Sequence, residues 1–344
     1  MKVKAGDTLP RLRHRLLGSA LAAVLLVGSA YPTFSQNCQT ATELDDATRN
    51  AITKAAQRYF DLASKGDAEA LRQSAIPSLA SDFSRIEATI KDRQPDLVGA
   101  QAGVKSIFSL ETEGTAPMPR AEFYCGVFGK NGQTPGSAVF TFTDLPPGKY
   151  AVVLLEATSP AGRNSFSSIL QQDGTAWKLG GLYVKPALVA GHDSDWFIGR
   201  ARDYKAKGQL HNAWFYYMQA REMITPLSFM STQASDKLYD EFQSVQPPDI
   251  PVDGTPTDLA AGTITYKLTR IRLVSVGNDL DLLVRYEVAD ASNADQAYQS
   301  NVAVIKAVAA KYPEVREAVA GVVARAADAS GRDYGTLLAM KDIK

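Results

Sequence analysis

The chain has 344 residues, with 37 Lys or Arg against 37 Asp or Glu, 45% hydrophobic and 22% charged residues. This balance excludes a disordered chain, which needs low hydrophobicity and high net charge. It also argues against nucleic acid as a partner, because phosphate contacts need an excess of basic surface.

Lys2, Lys4, Arg11, Arg13 and Arg15 precede an apolar and small-residue run, Leu16 to Val27, closed by Gly28-Ser29-Ala30. A positive segment, a short apolar core and small residues at −3 and −1 read as a secretory signal peptide over residues 1–30. The apolar core has 12 residues, whereas a membrane-spanning helix needs about 20. Cleavage between Ala30 and Gln36 takes away five basic residues and one acidic residue, leaving 32 basic and 36 acidic ones. No later run approaches spanning length. The sequence therefore implies an exported bacterial protein, periplasmic or extracellular, with no membrane span after cleavage. Cys38 and Cys125 are the two cysteines, and in an oxidising compartment they read as one disulfide. The alternative, two unpaired thiols, stays open because sequence does not supply the Cα separation a bridge requires.

Taken in chain order, Leu44 to Ser64 is helical: Ile52, Ala55, Ala56, Tyr59, Phe60 and Ala63 recur at three- and four-residue steps. Gly66 suits a left-handed cap and Asp67 an N-cap. A second helix ends before Pro77, and a third spans Ser81 or Asp82 to about Asp92. Beyond Pro95 come short β-branched and aromatic runs at 123–128, 137–142, 150–157, 165–171 and 177–184. Asn131-Gly132, Pro147-Gly148 and Asp173-Gly174 separate them as turns. Gly103 to Pro119 reads as long and irregular. Helices followed by an antiparallel meander make an α+β domain over 38–190. Tyr59 to Asp67 with helix resuming, and the closing Trp177 to Val184, resemble the NTF2-like (SnoaL-type) cone fold over residues 45–186. That resemblance implies N-terminal helices packed into a curved antiparallel sheet. In the family's enzymes an Asp, His or Tyr inside the cone does the chemistry, but no position here maps onto it.

Residues 191–246 are helical again. With Gly208 at the turn, Ala201 and Tyr204 fall on a first helix, Ala213, Tyr217 and Ala220 on a second, and Pro226 follows. This spacing resembles a single tetratricopeptide (TPR) repeat over 194–227, with Phe197 where the early tryptophan is expected and Trp196 beside it. A third helix, Ser231 or Thr232 to Val245, covers the hairpin. The resemblance implies that the first helix lines a binding face, which points to Asp195, Arg202 and Lys205. Trp214 joins them from the run Trp214-Phe215-Tyr216-Tyr217, whose side chains point all round a helix. One repeat cannot bury its own apolar face, so the hairpin is expected to pack on the preceding α+β domain or on a partner. Residues 247–261 are proline-rich and read as a semi-rigid linker. Residues 262–344 form a small α+β domain. Its elements are strands at 263–276 and 279–289 joined at Gly277-Asn278, a helix from Asn293 to Lys311, and a last strand from Tyr334 to Met340.

The sequence holds no nucleophile elbow, phosphate-binding glycine loop or dinucleotide fingerprint, and so implies no catalytic, cofactor or metal residue. His192-Asp193-Ser194-Asp195 gathers ligand types, yet adjacent residues need a distant third donor to hold a metal. Ser194 or Asp195 as a helix N-cap accounts for them more simply. His211 reads as solvated. Glu111 and Glu113 share a strand face and read as solvated carboxylates. The expectation is an exported non-catalytic envelope protein acting as a binding or interaction module for a protein or peptide. The alternative is a small-ligand binder or cone-fold enzyme with a pocket between the N-terminal helices and the sheet.

Overall fold

The computed structural model describes residues 36–128, 133–252 and 254–344. The expected leader and the Asn131-Gly132 turn lie outside these residues. The chain begins with β1 (Gln36–Thr40) and four helices, α1 (Asp46–Ser64), α2 (Ala68–Gln73), α3 (Pro77–Ser81) and α4 (Ser84–Leu97). Six strands follow: β2 (Gln101–Thr112), β3 (Met118–Cys125), β4 (Ala138–Leu145), β5 (Gly148–Ser159), β6 (Gly162–Asp173) and β7 (Ala176–Pro186). The helix boundaries obey local chemistry. Asp45 accepts a bond from the Thr48 amide at 2.8 Å, Gly66 takes φ +73°, and Asp67 accepts from the Ala70 amide at 3.0 Å.

Strands β1, β2, β5, β6 and β7 form one antiparallel sheet in that order. The run Tyr150 to Leu155 is apolar throughout because both faces of β5 are covered. Ala151, Val153 and Leu155 face the helices with Tyr59, Phe60, Leu71 and Ile90. Tyr150, Val152 and Leu154 face β3 and β4 through Phe123 and Phe140. Phe60 meets Phe166 edge-on at 5.3 Å. These side chains pack between the helices and the sheet. Cys38 on β1 and Cys125 on β3 are joined in a disulfide with Cα atoms 5.1 Å apart, a separation within the normal range.

Two expectations are corrected here. Residues 103–112 are strand, part of β2, with a bulge between Val104 and Ser106. Its first half is largely exposed, so it carries little of the hydrophobic alternation that marks a strand. Helix α4 runs through Pro95 to the fully buried Leu97, where the Val98 amide donates to Gln94 O at 3.1 Å.

The second half contains α5 (Ser194–Ala206), α6 (Leu210–Ile224), β8 (Met230–Thr232), α7 (Gln233–Gln243), β9 (Thr257–Ala261), β10 (Ile264–Val276), β11 (Asp279–Glu287), α8 (Ala294–Lys311), β12 (Gly321–Ala327) and β13 (Asp333–Ala339). Strand β8 extends the β3–β4 pair, tying the two halves together. The remaining strands form a sheet ordered β13-β12-β11-β10-β9. Its single parallel pair, β11–β12, is made possible by the α8 crossover. The chain is thus α+β, with three antiparallel-rich sheets.

Helices α5 and α6 pair across Gly208, at φ +75°. Asp193, one residue earlier than the expected cap, accepts from the Trp196 amide at 3.1 Å. All four aromatics of the run on α6 are buried. Trp214 stacks on Phe242 of α7 at 3.7 Å, Tyr216 donates to Ala318 O at 2.6 Å, and Tyr217 donates to Glu241 at 2.9 Å. Burial pushes the Tyr217 hydroxyl up to about 12. One hydrophobic core holds the hairpin, α7, α8 and the second sheet together.

The proline-rich stretch is packed into this core instead of standing free. Ile250 is 3% exposed, Leu259 lies in β9, and Tyr312 donates to Asp249 O at 2.9 Å. His211, expected in solvent, is clasped between carboxylates. Its Nδ1 lies 2.6 Å from Glu314 and its Nε2 lies 2.8 Å from Asp249. Burial raises the Asp249 carboxyl, but the His211 hydrogen bond and charge, with Lys311, outweigh it and hold it below its ordinary value. Removing the ring in His211→Ala leaves the two carboxylates without their shared partner. Hydrogen bonds to charged groups are worth roughly 1.5–3 kcal/mol, so a loss of about 2 kcal/mol is expected in urea unfolding. A variant as stable as wild type would show the clasp to be ornamental.

Candidate functional site

The hairpin and the second sheet meet along one strand edge. β9 pairs with β10 only from Ile264 to Leu268, and a bulge at Thr269 follows. From Arg270 to Val276, β10 bonds to β11 on one side and to no described strand on the other. Bulges bend and re-aim a strand. Half of the N–H and C=O groups in such a segment therefore face the open side.

Two recesses follow that edge. One of about 580 Å³ lies between Thr269 to Arg272, Val252 and the side chains of Trp214, Arg221 and Phe242. The other, about 890 Å³, continues from Arg272 to Ser275 and is bounded by Arg163, Lys185 and Gln219. Arg272 and Glu222 line both.

The charge of this groove is set by its cations. The Nε of Arg272 is buried with no hydrogen-bond partner, and its guanidinium makes no ion pair among the described residues. An unpaired buried donor is costly, so the groove carries an unmet demand for an acceptor. Burial pushes the Lys185 ammonium below its ordinary value, opposed by the charge of Glu222, and it donates to Thr225 O at 2.7 Å. Arg221 lies over Phe242 at 4.5 Å and Tyr239 at 4.8 Å, a cation–π arrangement that holds its fork at the rim. Arg163 pairs with Asp193 at 3.4 Å and Arg93 with Asp96 at 3.5 Å. No histidine or cysteine is among the described residues lining either recess. What the groove offers is hydrogen-bond donors, positive charge and open strand backbone.

Of the residues singled out from sequence, Trp214 alone reaches the groove. Arg202 holds Glu241 of α7 with two bonds, at 2.7 and 2.8 Å, and Lys205 donates to Ser244 at 2.9 Å. Trp214 is buried under α7 and reaches the groove only as part of its wall. Thus α7 lies on the side of α5 where a TPR-like face would bind. Asp195 is exposed and apart from the other three. His192 stacks on Trp196 at 3.6 Å, and Glu111 pairs with Lys149 at 3.3 Å. Among the described residues, no three His, Cys, Asp or Glu side chains gather as a metal site.

Sequence reasoning missed Arg270, Arg272 and Lys185. The pattern Arg270-Ile271-Arg272-Leu273 was visible as alternation, with Ile271 and Leu273 buried. That the arginines lie on a free edge depends on where β9 stops, which no local pattern announces.

One further carboxylate bears on the same sheet. Asp281, opposite Val274 of the groove, is 2% exposed, and its Oδ2 has no hydrogen-bond partner. Burial raises its carboxyl above the ordinary value, and the charge of Asp279 adds to this. A raised acid favours folding below the unfolded carboxylate range and loses that contribution as pH rises through its folded value. Asp281→Asn removes the cost of ionisation. We expect its Tm to exceed wild type at pH 8, with the gap closing toward pH 4. A gap that widens on acidification would reverse the assignment.

No family model, curated protein or solved structure matches the chain.

Proposed function

We propose that this chain is an exported, non-catalytic binding module of the bacterial envelope. Its ligand, a protein or peptide, sits in the groove between the helical hairpin and the edge of β10. The observation that carries the reading is Arg272: a half-buried cation with no ion-pair partner among the described residues, lining both recesses. The Cys38–Cys125 disulfide supports export, since such bonds persist in oxidising compartments. Both family resemblances belong to this reading. Helices packed on one face of an antiparallel sheet support the NTF2-like comparison, and α5–Gly208–α6 supports the TPR-like one.

The test has two arms. The full-length protein, expressed in a bacterium, is fractionated and its N-terminus and cysteines are read by mass spectrometry. The oxidised protein is then screened by thermal shift against envelope metabolites and peptides, because a ligand selective for the folded state raises Tm. The reading predicts a processed, oxidised protein outside the cytosol and a shift that Arg272→Ala abolishes. An unprocessed, reduced cytosolic pool, or a shift indifferent to Arg272, would contradict it.

A further inference from the structure

The groove has a floor that few small-molecule sites possess: an unpaired strand edge in line with a short strand already present. β9 occupies the edge of β10 as far as Leu268. Past the Thr269 bulge, Arg270 to Val276 offers an open ladder of about seven residues. An exposed edge is a template for pairing, and proteins blunt it with charge, proline or a covering element. Here the edge lies beneath the wall formed by Trp214, Arg221 and Phe242, and no described strand pairs with it.

Its charge is mostly positive: in the smaller recess Arg221, Arg270 and Arg272 stand against Glu222. Arg270 and Arg272 share the face of β10 opposite the buried Ile271 and Leu273. Arg270 stands in register with Arg285 of β11, and Arg285 with Arg325 of β12. Like charges directly opposite one another on a sheet repel. Of these cations only Arg325 has a carboxylate, Asp333 at 2.5 Å, among the described residues. Arginine forks match carboxylates in bidentate geometry. A row of guanidiniums beside an open ladder therefore suits an anion that also has a backbone.

On the reading of this chain as a binding module, we propose that the edge of β10 from Arg270 to Val276 captures an extended acidic peptide by strand addition. The peptide continues the line of β9, its main chain bonding to β10. Carboxylates on alternate residues meet Arg270 and Arg272, and the intervening side chains turn toward Trp214 and Met218. Main-chain bonds supply affinity and alternate side chains supply specificity in this mode. A second copy of the chain is excluded as occupant by the same charges, since two such edges would bring their arginine rows together.

The probe is a fluorescein-labelled nine-residue peptide alternating threonine and glutamate, read by fluorescence anisotropy on the oxidised full chain. Three comparison peptides accompany it. One carries lysine in place of glutamate, one has alternate amides N-methylated along one edge, and one has the complementary amides N-methylated. We expect saturable binding that weakens at least tenfold with lysine and at least tenfold with one of the two methylated forms, while the other still binds. Arg270→Glu, at an exposed position opposite Arg285, is expected to weaken binding at least tenfold with Tm unchanged or raised. No binding of the glutamate peptide overturns the proposal, as does equal binding of both methylated forms. Competition by free glutamate at equal carboxylate concentration would reduce the site to a small-anion pocket. Dimerisation through the β10 edge in sedimentation would assign it to self-association. A thermal shift from another ligand that needs Arg272, with no binding of this peptide, ends strand addition while the binding-module reading stands.

Discussion

Replacing Cys38 and Cys125 together by serine is expected to lower unfolding stability by about 3–5 kcal/mol. The bridge closes a loop with a sequence separation of 87 residues, and chain-entropy arguments give roughly 4–5 kcal/mol for a loop of that size. It ties β1, an edge strand of five residues, to β3 in the neighbouring sheet. β1 is short and its burial is partial, so most of what holds it in place is the bridge and its pairing with β2. Since total stability of a domain is about 5–15 kcal/mol, the effect is large. Urea unfolding of wild type, reduced wild type and the double variant measures it. Matching midpoints for all three would mean that the bond contributes nothing to the fold.

The second large effect is expected at the junction of hairpin and sheet. Trp214→Ala removes a side chain stacked on Phe242 at 3.7 Å and 4% exposed. Truncation of a buried aromatic costs about 3–5 kcal/mol. Because the hairpin, α7, α8 and the second sheet share one core, the loss should appear as one cooperative transition moved to lower urea concentration. Far-ultraviolet circular dichroism and tyrosine fluorescence should report the same midpoint. If the helical signal melts first and the sheet later, hairpin and sheet are separate units and the groove between them is not a built site.

Much of this architecture was legible in the residues. Asp45, Asp67, Thr232 and Asn293 each cap the helix that follows. Gly66 and Gly208 sit at positive φ where the chain reverses. The alternation in 263–276 and 279–289 marked a hairpin that the structure contains as 264–276 and 279–287. What escaped was non-local. β12 lies beside β11 in parallel only because α8 carries the chain over, and neither strand's own sequence encodes that partner. β9 looked like linker because prolines surround it, yet Leu259 is buried and draws it onto the sheet. The hairpin read from 191–246 was expected on the preceding α+β domain or a partner, but its apolar face is shared with the second sheet, which follows it in the chain. The TPR resemblance implied a binding face at Arg202 and Lys205 but gave no sign of the bonds they make within the chain. Their salt-bridge and hydrogen-bond partners, Glu241 and Ser244, lie 39 positions away in sequence, and local periodicity has no access to such pairs.

The most direct measurement is hydrogen–deuterium exchange of the oxidised protein with and without the alternating threonine–glutamate peptide. Amides within Arg270 to Val276 that face the open edge should exchange quickly alone and slow markedly when the peptide is present, with the N-terminal sheet unchanged. Protection confined to the N-terminal helices, or an edge of β10 that is already protected in the free protein, would contradict the account.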